Sequence, residues 1–162
     1  MVTFTWSVVD TPVGKLLLVR SPQGLARVAF EAEGLDRQLA LLGADTREAE
    51  DPEAVAQLAE YFAGTRREFA LPLDWRLTGG FHGRVQRALV AIPYGATITY
   101  ADLARRAGNP NAARAVGSAC ARNPLPIVAP CHRVTRSDGS LGEYLAGPEV
   151  KRQLIELEAS HV

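Results

Sequence analysis

A cysteine followed directly by a histidine is the pair of side chains in this sequence best suited to chemistry. Cys131 and His132 lie in residues 123–134, an apolar segment with three prolines. These prolines restrict the backbone and prevent a regular helix there. A thiolate is a strong nucleophile, and an imidazole can serve as its base. The alternative is a structural cysteine beside an unrelated histidine, because a free cysteine is commonly a small core residue.

The length and composition indicate a globular protein of one compact unit or two small ones. The chain has 162 residues, of which 47% are hydrophobic and 22% are charged. Two cysteines cannot form a disulfide framework, so we expect a reducing, cytoplasmic environment. Residues 1–6 lack the layout of a signal peptide, and no apolar run reaches the roughly 18 residues of a membrane helix. We therefore expect no membrane association.

The charge is distributed unevenly along the chain, although its total is zero. Residues 1–77 contain 8 basic and 12 acidic side chains, whereas residues 78–162 contain 10 basic and 6 acidic ones. This distribution is typical of a DNA-contacting module joined to a module that does not touch DNA. Random variation in composition is the alternative explanation of this difference.

The N-terminal half has the pattern of a small sheet with helices. Turn residues separate three runs with strand character, and Asp51-Pro52 has the form of a helix N-cap followed by proline. The predicted strands are residues 3–9, 14–20, 25–30 and 69–73, and the predicted helices are residues 34–43 and 52–62.

Thr78-Gly79-Gly80 is the best candidate for a domain boundary, and the pattern beyond it is mostly helical. Two short helices joined by a glycine-containing turn indicate a helix-turn-helix, and Asp138-Gly139 suggests a turn into a short wing strand through Leu141. The predicted helices are residues 81–92, a helix capped by Thr99 that runs to Ala107, residues 111–122, and residues 148–160.

The motif Pro130-Cys131-His132-Arg133-Val134 resembles the active-site signature of the O6-alkylguanine-DNA alkyltransferase family, the methylated-DNA–protein-cysteine methyltransferases. The similarity is strong over residues 81–158. It implies a mixed α/β (α+β) fold, with an N-terminal ribonuclease-H-like α/β domain (residues 1–77) and a C-terminal winged helix-turn-helix domain (residues 78–162). Other matching positions are Thr11-Pro12-Val13-Gly14, Tyr100, Gly108-Asn109-Pro110, Ala113-Arg114-Ala115-Val116-Gly117, Asn123-Pro124, Gly142, Tyr144, Gly147, Lys151 and Glu158.

The resemblance implies a suicidal repair reaction on double-stranded DNA. The alkyl group on O6 of a flipped-out guanine would be transferred irreversibly to Cys131, with no cofactor. Some relatives bind zinc through N-terminal cysteine and histidine residues, but this chain has no cysteine before Cys120 and no histidine before His82. We therefore expect no metal. The sequence shows no sustained heptad or evident dimer face, so we also expect a monomer.

The resemblance also assigns catalytic roles. His132 would remove the thiol proton through a water molecule, and Glu158 would orient the imidazole. Tyr100 would donate to a ring nitrogen of the leaving guanine, and Asn123 would hold the turn around the cysteine.

DNA contacts are implied on the second helix of the helix-turn-helix. Arg114 would fill the gap left by the flipped base. Small residues would let the helix approach the minor groove, namely Ala113, Ala115, Gly117 and Ser118.

Three residues would line the base pocket: Tyr144, Leu145 and Val134. The family often has Ser, Arg or Ala followed by Gly where this chain has Leu145-Ala146, so the resemblance leaves open whether large adducts fit beside Leu145. Cys120 lies on the apolar side of its helix and is expected to be structural.

Three other functions fit parts of this pattern. A lesion-binding protein without chemistry would lack the nucleophile, whereas Cys131 is present. A winged-helix regulator with a sensor cysteine would need a dimerisation element. A cysteine hydrolase would need an oxyanion hole, and the sequence identifies none.

Overall fold

A computed structural model describes residues 3–43 and 45–162. The chain divides into two compact units, with the boundary between Leu77 and Thr78. Met1 and Val2, which belong to the N-terminal stretch compared above with a signal peptide, lie outside the described residues. None of the helices in the described residues has the length and apolar character needed to cross a membrane.

In its described residues, the first unit is a four-stranded sheet with two α-helices, as the sequence predicted in outline. The sheet has the order β3-β2-β1-β4, with β1, β2 and β3 antiparallel and β4 parallel to β1. Side chains from Leu16 to Val19 are fully buried, which explains their uninterrupted apolar run. The elements are β1 (Phe4–Thr11), β2 (Gly14–Ser21), β3 (Gly24–Phe30), α1 (Leu35–Ala40), β4 (Thr46–Glu48) and α2 (Pro52–Phe62).

The prediction of a strand at residues 69–73 is wrong. Only Leu73 makes a bridge, to Leu25. The Gln57 side chain forms hydrogen bonds with both backbone groups of Ala70. It accepts from the Ala70 N–H at 2.8 Å and donates to the Ala70 carbonyl at 3.1 Å. Pro72 has no N–H to donate. The backbone groups that a ladder would use are therefore occupied or missing.

The second unit contains four α-helices and a two-stranded parallel sheet. The helix-turn-helix consists of α4 and α5, and the Thr99 side chain caps α4 by accepting from Asp102 N–H at 3.1 Å, as predicted. The sheet pairs Ile98 with Val134, which ties the start of α4 to the cysteine segment. The elements are α3 (Gly80–Leu89), β5 (Ile98–Thr99), α4 (Tyr100–Arg106), α5 (Ala113–Ala121), β6 (Val134–Thr135) and α6 (Pro148–Ala159).

The predicted wing strand through Leu141 is also wrong. Residues 136–140 form a turn in which Arg136 N–H donates to Ser140 C=O at 3.0 Å. The Asp138 carboxylate accepts from both the N–H and the hydroxyl of Ser140. Gly142 then has a φ of +81°, which an extended strand does not allow. The wing is therefore a loop, and the pairing strand is the earlier β6.

Candidate active site

A rigid loop holds Cys131. The Asn123 side chain donates to Ala129 C=O at 2.8 Å and accepts from Leu125 N–H at 3.1 Å. Ala129 N–H also donates to Leu125 C=O at 2.7 Å. These bonds enclose Ile127, a β-branched residue with a φ of +73°. Such a conformation costs on the order of 1–3 kcal/mol and persists only where the surroundings enforce it.

Cys131 begins a short 3₁₀ turn, Cys131–Arg133, directly after this loop. The turn separates the directions of consecutive side chains. The Cys131 thiol lines a cavity, whereas the His132 ring is completely buried behind it. The thiol is also well covered, since Cys131 is only 2% exposed. The nucleophile therefore sits at the floor of the cavity.

A buried carboxylate organises the groups behind the cysteine. Glu158 lies on α6, and its Oε2 is hydrogen-bonded to Nε2 of His132 at 2.6 Å. Arg133 donates Nε to Oε1 at 2.8 Å and Nη2 to Oε2 at 3.0 Å, which makes a two-pronged ion pair. A third donor of Arg133, Nη1, binds Ile92 C=O at 2.5 Å. Sequence reasoning assigned no role to Arg133, although it lies inside the motif.

The protonation states follow from this network. Burial tends to raise the pKa of Glu158, but the hydrogen bonds and charges of His132 and Arg133 outweigh it and lower the pKa to about 2. Burial lowers the pKa of His132, despite the opposing effect of Glu158. His132 is therefore neutral at neutral pH.

An ionised Glu158 can only accept, so His132 Nε2 must carry the hydrogen and Nδ1 must carry the lone pair. Nδ1 has no hydrogen-bond partner among the residues that the structure describes. It is therefore available to take up a proton.

A buried lysine connects the wing loop to the tyrosine. Lys151 is 0% exposed, and its Nζ donates to Val134 C=O at 2.7 Å, to Glu143 C=O at 3.3 Å and to Tyr100 Oη at 3.4 Å. Burial raises the pKa of Tyr100 to about 12, with further contributions from the two cysteines. The phenol therefore stays protonated and can act as a donor.

Lys151 was assigned no role from the sequence, but its position contains a signal. Lys151, Leu154 and Glu158 follow the i, i+3, i+7 spacing of one helix face. All three are buried in the structure. Two charged residues on an apolar face indicate buried partners rather than solvated side chains.

The cavity has a volume of about 810 Å³ and brings together most of the predicted site residues. Ala115 and Val134 are not among its lining residues. Val134 is fully buried and its carbonyl accepts from Lys151, so its side chain is not part of this cavity wall. Asn123, His132 and Glu158 are buried behind the cysteine. The predicted residues that line the cavity are Tyr100, Ala113, Arg114, Gly117, Ser118, Cys131, Tyr144 and Leu145.

Four further residues line the cavity without having been predicted there: Cys120, Ala121, Arg136 and Glu143. Cys120 is buried, as expected of a structural residue, but it also forms part of the cavity wall. Burial raises the pKa of its thiol, which makes Cys120 a poor nucleophile. Among the described residues, no group of three or more histidine, cysteine, aspartate or glutamate side chains could hold a metal ion.

Two family models match the chain, one on each unit. The model described as the 6-O-methylguanine DNA methyltransferase DNA binding domain matches residues 80–160. The model for the ribonuclease-like domain of the same proteins matches residues 4–75. The chain belongs to the 6-O-methylguanine DNA methyltransferase family. The predicted fold class is thereby confirmed.

Curated relatives and solved structures agree with this family assignment. The constitutive methylated-DNA–protein-cysteine methyltransferase of Bacillus subtilis is 38% identical over 156 residues, covering 94% of each chain. The Mycobacterium leprae protein of that name is 41% identical over 155 residues, covering 94% of this chain and 91% of the relative. Mycobacterium tuberculosis OGT in complex with DNA has a TM-score of 0.88 at 37% identity, covering 98% of this chain and 94% of that one.

In this member of the family, replacing Glu158 with Gln should destabilise the fold and flatten its pH dependence. The folded-state pKa near 2 lies below the ordinary value of 4.5. The ionised carboxylate therefore contributes stability that is complete above pH 4.5 and is lost as the pH falls towards 2. The neutral amide would leave Arg133 buried without a counter-ion, at a cost of about 3 kcal/mol at neutral pH. Urea unfolding between about pH 3 and pH 7 measures both effects.

The matched control is Glu156→Gln, since Glu156 is an exposed glutamate on the same helix. Its unfolding free energy should stay within about 0.5 kcal/mol of the original protein. If Glu158→Gln gave a curve parallel to that of the unaltered protein, the proposed ionisation of the buried carboxylate would be wrong.

Proposed function

We propose that this chain repairs alkylated double-stranded DNA by transferring the alkyl group from O6 of a guanine to Sγ of Cys131, once per molecule. The observation that carries the proposal is the placement of Cys131. Its thiol forms the floor of a cavity, and the buried His132–Glu158 pair lies directly behind it. Membership of the methyltransferase family supports the same reaction.

The first step is activation of the thiol. Neutral His132 accepts the proton of Cys131 at Nδ1, through the bridging water that the family resemblance implies. The ionised Glu158 stabilises the resulting imidazolium through the 2.6 Å contact at Nε2. Arg133 keeps Glu158 ionised, so the carboxylate does not compete for the transferred proton.

The second step is displacement at the alkyl carbon. The thiolate forms the sulfur–carbon bond while the carbon–O6 bond breaks, and the electron pair moves onto the guanine. Tyr100, kept protonated by its raised pKa, donates to a ring nitrogen as negative charge develops there. The Lys151 ammonium lies 3.4 Å from Tyr100 Oη. Its positive charge favours proton donation by Tyr100, because it stabilises negative charge on the phenol oxygen.

The reaction inactivates the protein. The product is a thioether on Cys131, and a thioether is a poor substrate for hydrolysis, so each molecule acts once. One chain supplies every reacting group named here, which supports action as a monomer. A reducing environment keeps a nucleophilic thiol out of disulfides, which supports a cytoplasmic location.

Access to O6 requires that the nucleotide leave the duplex stack. Arg114 is exposed on α5 beside the cavity, so its side chain can extend into the duplex and fill the space that the base leaves there. Gly117 and Ser118 lie one turn further along the same helix and also line the cavity. Their small side chains favour close approach to the minor groove.

Stoichiometry tests the proposed function. Incubation with duplex DNA containing one O6-methylguanine should add one methyl group to each protein molecule, on the peptide that contains Cys131. Repair should cease at one equivalent, and Cys131→Ser should abolish it. Intact-protein and peptide mass spectrometry measure the transfer.

The matched control is Cys120→Ser, which alters the second thiol of the same cavity. It should still transfer one methyl group, because the raised pKa of Cys120 makes that thiol unreactive. Lesion binding without a mass change would indicate a lesion-flagging protein. Methylation that persists in Cys131→Ser and disappears in Cys120→Ser would reverse the assignment of the nucleophile.

Leu145 should restrict the size of the adduct. Its branched apolar side chain forms part of the cavity wall. Leu145→Ala should raise the transfer rate for O6-benzylguanine relative to O6-methylguanine by roughly tenfold, the scale expected for added space in an apolar pocket. Single-turnover rates with the two lesions in the same duplex measure this ratio.

Leu141→Ala is the control, since Leu141 lies in the same loop but is not among the cavity-lining residues. Its ratio should equal that of the unaltered protein. An equal change in both variants would mean that loop flexibility, rather than the Leu145 side chain, sets the preference.

A further inference from the structure

The side chain of Arg136 lies at the cavity but has no role in the chemistry described above. Arg136 follows β6 and lies five positions after the nucleophile. It lines the same cavity as Cys131, but Arg136 is exposed, whereas Cys131 is 2% exposed. Arg136 therefore belongs to the solvent side of the cavity, and Cys131 belongs to its floor.

The backbone of Arg136 is fixed at both of its polar groups. Its N–H donates to Ser140 C=O at 3.0 Å, and its carbonyl accepts from Gly139 N–H at 3.1 Å. β6 immediately precedes it and is paired with β5. The side chain is thus presented from an ordered turn connected directly to the active-site segment.

The guanidinium of Arg136 forms no salt bridge with any carboxylate in the described part of the chain. Asp138, the nearest acidic residue in sequence, uses its Oδ1 to accept from Ser140. Three other arginines of this unit form salt bridges: Arg133 with Glu158, Arg105 with Asp102 and Arg152 with Glu149. Arg136 therefore keeps its donors available for a ligand at the cavity.

The chemistry of a flipped nucleotide identifies that ligand. The base can enter the cavity as far as Cys131, but the phosphodiester remains continuous with the strand and must stay outside. A phosphate presents anionic oxygens that match the fork of a guanidinium. Glu143 also lines the cavity, and its carboxylate repels a phosphate. The phosphate backbone of the lesion strand should therefore lie against Arg136 and away from Glu143.

We propose that Arg136 binds a backbone phosphate next to the flipped nucleotide and thereby holds the lesion strand at the opening of the cavity. This role rests on the proposed function, because it requires a base in the cavity. It differs from the role of Arg114, which lies on α5 and would replace the base inside the duplex. Arg136 would contribute to binding of DNA but not to transfer of the alkyl group itself.

The first test is the salt dependence of binding. Arg136→Gln and Arg152→Gln each remove one positive charge from this unit, but only Arg136 lines the cavity. Both are made in the Cys131→Ser background and titrated with a duplex containing O6-methylguanine over a range of KCl concentrations. Arg136→Gln should weaken binding about tenfold and reduce the slope of log K against log salt by about 0.9, the value for one lost phosphate contact. Arg152→Gln should leave both quantities unchanged.

The second test removes the phosphate from the substrate. Free O6-benzylguanine base has no phosphate, so Arg136→Gln with Cys131 intact should react with it at the unaltered rate. The same variant should react more slowly with duplex DNA at subsaturating concentration. A methylphosphonate, which carries no charge, can replace each phosphate flanking the lesion in turn. At the phosphate that Arg136 binds, Arg136→Gln should cause no further loss of DNA affinity. Arg136→Lys should recover part of the binding, because it keeps the charge but loses the fork.

The outcomes separate this role from the proposed function. If the unaltered protein transfers no alkyl group from DNA or from the free base, the proposed function fails, and the binding experiment still decides the phosphate contact. If Arg136→Gln matches Arg152→Gln in affinity and salt slope, the phosphate contact is refuted. If Arg136→Gln slows the reaction with the free base as much as the reaction with duplex DNA, Arg136 acts on the base, and the inference is overturned.

Discussion

The structure of the second unit depends on the burial of one carboxylate. Glu158 is 2% exposed, and a charge removed from water is tolerated only when it is paired and fully hydrogen-bonded. Arg133 and His132 provide those partners from the turn that begins with Cys131. The carboxylate therefore joins α6 to the active-site segment and also sets the tautomer of the histidine. Stability and chemistry share the same contacts.

A second constraint acts in front of the carboxylate. The loop from Asn123 to Ala129 is closed by side-chain and backbone hydrogen bonds, and it holds Ile127 in a left-handed conformation. Because the loop is fixed on one side and Glu158 fixes the other, the thiol has little freedom to move. A fixed thiol suits a reaction in which the attacking sulfur, the carbon and the leaving oxygen must be aligned.

Local signals in the sequence predicted most elements, whereas long-range contacts were missed. The caps at Asp51 and Thr99 were predictable because a cap depends on neighbours within three residues. The partners of Arg133 and Lys151 lie up to 51 positions away in sequence, so nothing nearby reveals them. The strand predicted at residues 69–73 failed for a related reason, since the backbone of Ala70 binds a side chain from α2. The short β4 is mostly polar and has no strand pattern of its own.

The most direct test of this account is the pH dependence of the transfer rate. The account holds that neutral His132, fixed by Glu158, removes the proton of Cys131. Single-turnover rates with free O6-benzylguanine should be nearly constant between about pH 7 and pH 9 in the unaltered protein, because the base sets the thiolate concentration. In a folded His132→Gln variant the rate should rise steadily with pH over this range, because the thiol must then ionise into solvent. Identical pH profiles for the two proteins would contradict the account.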